Sequence, residues 1–146
     1  MSQQAVLDYA YSFLGTPYRW GGDDPIAGID CSGLAIEILK AAGLYKGHYD
    51  TTAQGLYTDM LFTKKAGLTK LPDSLCLAFY GKSDKEISHV GICVSPTHMI
   101  EAGGGGSKVV DEKSAAAANA FVRIRPINSR SDLVGILQPI YSWCGS

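Results

Sequence analysis

Residues 88–103 read SHVGICVSPTHMIEAG, two short apolar runs on either side of a Ser-Pro-Thr turn. Runs this short, rich in β-branched residues and bounded by turn formers, fit strands better than helices. Paired across residues 95–97 they make a β-hairpin, and a hairpin commits this part of the chain to an antiparallel sheet. Working outward, SLCLAFYG (74–81), SKVV (107–110) and FVRIRPI (121–127) read as further strands.

Upstream the period changes. Val6, Tyr9, Phe13 and Leu14 recur at helical spacing, with Ser2 placed to cap the start and Gly15 to stop the run. Leu34, Ala35, Ile38 and Leu39 mark a second helix over 31–42, with Asp30 as N-cap and Gly43 as terminator. A shorter pattern covers 52–62. Helices precede strands, which predicts an α+β fold: N-terminal helices packed on an antiparallel β-sheet formed by the C-terminal half, as a single domain over 1–146. The glycines of 103–106 read as a mobile turn, and the alanines of 115–118 as a short surface helix or loop.

A chain of 146 residues with 46% hydrophobic and 10% aromatic residues can bury one core. Thirteen basic against 14 acidic residues, without a basic cluster, argue against nucleic acid and anionic membranes as partners. No stretch is long and apolar enough to span a bilayer. The segment MSQQAVLDYAYSFLG lacks the basic start, apolar run and cleavage site of a signal peptide, so a cytoplasmic origin is expected. Cys31, Cys76, Cys93 and Cys144 form no C-x-x-C pair, which disfavours a zinc ribbon or a dithiol. Cys76 and Cys93 fall in apolar strands and are expected to be inert core residues. AGGGGSKVV is not a phosphate loop, because serine precedes lysine and a strand-like pair follows.

Between the first two helices, TPYRWGGDDPIAGID is broken by proline and glycine, yet it carries Tyr18, Arg19 and Trp20. Trp20 is expected to pack this loop onto the core. The loop delivers the chain to Cys31, in the first turn of the second helix, where free N–H groups and the helix dipole favour an anion. The dipole contributes only about 1 kcal/mol, so a nucleophilic cysteine here needs an imidazolium beside it. His48 and His98 look loop-borne and solvated, whereas His89 opens a strand and is the preferred base. If the hairpin forms, Glu101 can lie beside His89 and hold its ring. The Cys31 N–H and the Tyr18 phenol are candidate oxyanion donors, and Gly33 could admit a substrate backbone.

GTPYRWGGDDPIAGIDCSGL followed by SHVGICV and MIEAG resembles the NlpC family of papain-like cysteine peptidases, from the first helix through at least Gly103. The resemblance implies a papain-like fold, no metal and no cofactor. It further implies hydrolysis of an amide bond in peptidoglycan stem peptides, between a D-γ-glutamyl residue and a diamino acid. By this likeness Cys31 is the nucleophile, His89 the base and Tyr18 the oxyanion tyrosine, while Asp30, Ser32 and Ser88 hold the polar ends of the substrate. Glu101 stands where the family usually has histidine, or at times asparagine or glutamine. That departure leaves two alternatives: a wall-binding module that does not turn over, or a papain-like amidase or transferase on another substrate. Relatives of this size suggest a phage tail-associated lysin, or an exported toxin with an immunity protein, delivered to the wall by a larger assembly.

Overall fold

The computed structural model describes residues 2–20, 22–24, 28–103 and 112–143. Helix α1 spans Gln3–Tyr11, and the Ser2 hydroxyl accepts a hydrogen bond from the Ala5 N–H at 3.2 Å. It buries Val6 and Ala10, and Phe13 follows them into the core. Leu14, expected on the same face, is 40% exposed. The helix ends at Tyr11, and the chain then turns through Gly15 at φ 87°, so helical spacing no longer places residue 14.

Helix α2, Cys31–Ala41, starts where Asp30 accepts from the Gly33 N–H at 2.7 Å and is followed by Gly43 at φ 86°. Leu34, Ala35, Ile36, Ile38 and Leu39 are buried along it. Gly33 serves the chain's own packing rather than a substrate, because a β-carbon there would collide with the Gly22 carbonyl and the Asp30 carboxylate. Gly33→Ala is therefore expected to cost roughly 1–3 kcal/mol, read from the midpoint of urea unfolding. Helix α3, Ala53–Phe62, is capped by Thr52.

A two-residue ladder, β1 (Asp23–Asp24) with β2 (Gly28–Ile29), ties the loop in front of α2. The main sheet contains β3 (Ala66–Thr69), β4 (Leu77–Gly81), β5 (Ile87–Cys93), β6 (His98–Gly103), β7 (Phe121–Pro126) and β8 (Leu133–Pro139). Its order is β3-β8-β4-β5-β6-β7, with every pairing antiparallel. Helix α4, Glu112–Ala117, lies over the alanine run, and Ala115 is buried. Of the turn expected at 103–106, Gly103 instead ends β6, while residues 104–106 and the strand expected at 107–110 lie outside the described residues.

Alternation gives the sheet two faces. Leu77, Phe79, Val90, Ile92, Ile100, Ala102, Val122 and Leu137 join the helices in the main core. Cys76, Ala78, Tyr80, Cys93, Met99 and Ile136 form a smaller cluster with Ile127. Cys76 and Cys93 are buried there as the sequence suggests, and burial together with the neighbouring Cys76 pushes the Cys93 thiol up to about 12. The expected hairpin is β5–β6, with Ile92 opposite Ile100 and Cys93 opposite Met99. Serine 95 fixes its turn by accepting from the N–H groups of Thr97 and His98. Besides the β1–β2 ladder, two strands of the main sheet escape the sequence reading. β3 has only four residues, and β8 carries an internal glycine and ends in proline, so neither shows a strong strand pattern.

Candidate active site

Cys31 is the first residue of α2, and its thiol is half-buried. The loop before it is stitched to both neighbours. The Tyr18 N–H donates to Ala120 O at 2.9 Å, the Ile29 N–H to Pro17 O at 3.0 Å, and the Asp30 N–H to Gly22 O at 2.9 Å. Tyr18 therefore sits at a fixed height beside the helix start, only 5% exposed. Burial, then negative charge at Cys31 and at Asp30, raises the Tyr18 phenol above its ordinary value, so it keeps its proton and remains a donor.

His89 projects from β5 and Glu101 from β6, with His89 Nε2 3.1 Å from Glu101 Oε2. The contact has the length of an ion pair, although His89 Nε2 falls outside the angular limits of a hydrogen bond. Such contacts are often poorly aligned until substrate tightens them. Gly103 leaves the room for it, since a β-carbon there would collide with the Glu101 carboxylate. Burial alone would lower the His89 imidazolium, but the neighbouring Cys31 and Glu101 override it and raise His89 to about 9. Burial would likewise raise Glu101; His89, Arg123 and Arg125 hold it below the usual carboxylate range. A raised histidine stabilises the fold below its unfolded value and loses that contribution as pH climbs through about 9. A lowered carboxylate contributes above its unfolded value and is lost in acid, so the pair is charged across neutral pH.

Two cavities meet at the thiol. One, of about 330 Å³, is lined by Cys31, His89, Glu101, Arg123, Arg125 and Arg130 among others. The second, of about 630 Å³, is lined by Cys31, Asp30, Ser32, Asp50, Thr51 and Thr52 among others. Tyr18, Trp20 and Ser88 border both. Cys31, His89, Glu101, Tyr18, Asp30, Ser32 and Ser88 thus all fall at one cleft, whereas Gly33 does not line it. Asp30 caps the helix, and the Ser32 hydroxyl donates to Asp30 Oδ1 at 3.3 Å while remaining buried. Ser88 is exposed on the rim.

Trp20 departs from expectation. It is 57% exposed at the mouth of both cavities instead of packed into the core. His48 and His98 are exposed as expected, but His98 is not loop-borne: it opens β6, and its Nδ1 is engaged by the Thr97 hydroxyl at 2.8 Å. Arginines 123, 125 and 130 and the Asp50–Thr52 segment were not anticipated as part of the cleft. The signal for the first two was present in FVRIRPI, where arginines two apart on a strand must share a face.

Residues 15–125 match the NlpC/P60 family model, and the chain belongs to the NlpC/P60 family. The match begins after α1 and extends into β7. The bifunctional muramidase/DL-endopeptidase CwlT of Bacillus subtilis is 34% identical over 113 residues, 76% of this chain and 32% of that protein. A probable endopeptidase of Mycobacterium tuberculosis is 32% identical over 96 residues, covering 66% of this chain and 22% of the relative. The chain therefore spans about a third or less of these curated relatives. Among solved structures, the NlpC/p60 domain of the peptidoglycan hydrolase SagA superposes with a TM-score of 0.65 at 22% identity, covering 94% of this chain and 99% of that one. An NlpC/P60 family protein from Bacillus cereus superposes with a TM-score of 0.70 at 20% identity, covering 97% of this chain and 40% of that one. The fold is the papain-like α+β fold of these domains.

Proposed function

We propose that the protein is a cysteine peptidase that hydrolyses an amide bond in peptidoglycan stem peptides, between D-γ-glutamate and the following diamino acid. The observation that carries this reading is a buried His89–Glu101 pair, 3.1 Å apart, lining the same cavity as a cysteine at a helix N-terminus. Family membership and the endopeptidase and hydrolase names of the relatives support the substrate class.

In this mechanism the Cys31 sulfur, as thiolate, attacks the carbonyl carbon of the scissile amide. Negative charge moves to the carbonyl oxygen, where the Tyr18 hydroxyl and the Cys31 N–H donate to it. The C–N bond then breaks, and the amine leaves with a proton from the His89 imidazolium. A thioester remains. His89, now neutral, takes a proton from water as its oxygen attacks the thioester, and the Cys31 thiolate departs from the new carboxyl group. Glu101 orients the ring and stabilises its charged form throughout. Asp30, Ser32 and Ser88 meet the polar ends of the acyl portion.

Purified sacculi test the proposal. Incubation is expected to lower turbidity and release soluble muropeptides with new amino termini on the diamino acid; intact sacculi after prolonged incubation would overturn it. Tyr18→Phe removes one oxyanion donor and nothing else of size. It is expected to lower kcat about 10- to 1,000-fold with KM little changed, measured on a defined stem peptide.

A further inference from the structure

The two cavities beside Cys31 differ in charge. Among the described residues lining the smaller one, Glu101 is the single carboxylate, and it is committed to His89. Against it stand three guanidinium groups. Arg130 is held by Asp132, with Nε 2.9 Å from Oδ1 and Nη2 2.8 Å from Oδ2. Arg123 and Arg125 are not so held. Within the described residues neither makes an ion pair, and Arg123 Nε is buried without a hydrogen-bond partner.

Their placement follows from the register. Arg123 on β7 lies directly opposite Glu101 on β6, and Arg125 lies opposite Met99, one step along the same face. A buried N–H left unpaired costs the full desolvation of that group, so its persistence beside a cleft argues for an external acceptor. Paired guanidinium groups fit a carboxylate better than any neutral partner does. The opposite cavity has the reverse character, with Asp30 and Asp50 among its lining residues.

Resting on the peptidase reading above, we infer that Arg123 and Arg125 form an anion-binding subsite for a free carboxylate on the leaving side of the scissile bond. The direction follows from the chemistry. His89 protonates the departing amine, so the residue carrying that amine lies on the His89 side, and that side opens onto the arginines. The carboxylate can come from the side chain of a diamino dicarboxylic acid such as diaminopimelate, or from the terminal D-alanine. A lysine at the diamino position carries no such side-chain group.

The test uses tetrapeptides of the form L-Ala-γ-D-Glu-X-D-Ala. X is diaminopimelate, its side-chain amide, or lysine, and a fourth peptide has diaminopimelate with an amidated terminus. Calorimetric affinities are measured on Cys31→Ala, alone and combined with Arg125→Gln or Arg125→Lys, and kcat/KM on chains that retain Cys31. The diaminopimelate peptide is expected to bind about tenfold tighter than its side-chain amide and the lysine peptide. Arg125→Gln erases that difference and Arg125→Lys restores part of it; thermal transitions close to the parent's show that the variants fold. If those three peptides bind equally and only amidating the terminus weakens binding, in an Arg125-dependent way, the subsite holds the terminal carboxylate instead. Equal affinities for all four peptides, or a preference unchanged in Arg125→Gln, would overturn the inference. Cleavage of every peptide without such a preference would leave the peptidase reading standing alone, whereas an arginine-dependent preference without cleavage would leave the subsite alone. Absence of binding and of cleavage would overturn both.

Discussion

Replacing Cys31 with alanine is expected to reduce hydrolysis of a stem peptide by at least about 10⁴-fold, to the level of whatever binding and oxyanion stabilisation achieve without a nucleophile. Among the described residues no other cysteine can substitute, since Cys76 and Cys93 are fully buried in the second cluster of the sheet. The fold should survive. Asp30 still caps α2 through Gly33, and the helix is anchored by the buried residues that follow Cys31. The variant has a second readout. Cys31 is among the causes that raise His89, so its removal should lower the His89 titration from about 9, as followed by NMR of the ring protons. A histidine that titrates unchanged in Cys31→Ala would separate the two groups.

Glu101 is the second large effect. Glu101→Gln keeps an acceptor of nearly the same shape but removes the charge that stabilises the imidazolium. The kcat is expected to fall about 10²-fold, in the range of lost general acid–base assistance. The sign of the pH change is fixed. A carboxylate beside His89 raises it, so its loss lowers His89, and the alkaline limb of kcat/KM moves to lower pH. Glu101→Ala should be worse, since it also unpins the ring and leaves Arg123 facing an empty position across the strand. Removing one member of a buried ion pair commonly destabilises a fold by about 3–5 kcal/mol, so the unfolding midpoint should drop as well. A Glu101→Gln enzyme with unchanged kcat and pH profile would make the carboxylate a bystander.

What the sequence reveals about this site follows from how local the determinants are. The start of α2 is written in four consecutive residues, Asp30 to Gly33, and the cap forms as those residues imply. The meeting of His89 with Glu101 is almost as local, because a four-residue connection between two strands leaves little freedom in register. Tyr18 is less local: its position depends on hydrogen bonds to Ala120 and on the Ile29 strand. The surrounding motif marks it, whereas no periodicity does. The arginine wall was harder still. Arg123 and Arg125 read as ordinary strand charges until β7 pairs with β6 and turns them toward the cleft. Trp20 differs from its expected place for a related reason. A large aromatic in an irregular loop is usually core, but here Trp20 stands exposed on the border of two adjoining cavities. Strand β8 inserts between β3 and β4 from the far end of the chain, a long-range pairing that no local pattern encodes.

The measurement that bears most directly on the whole account is mass spectrometry of a defined stem tetrapeptide incubated with the wild type and with Cys31→Ala. Two products are expected from the wild type alone: L-alanyl-D-glutamate with a free γ-carboxyl, and the diamino acid still joined to D-alanine. A peptide left intact by both proteins, or cut equally by both, would contradict it.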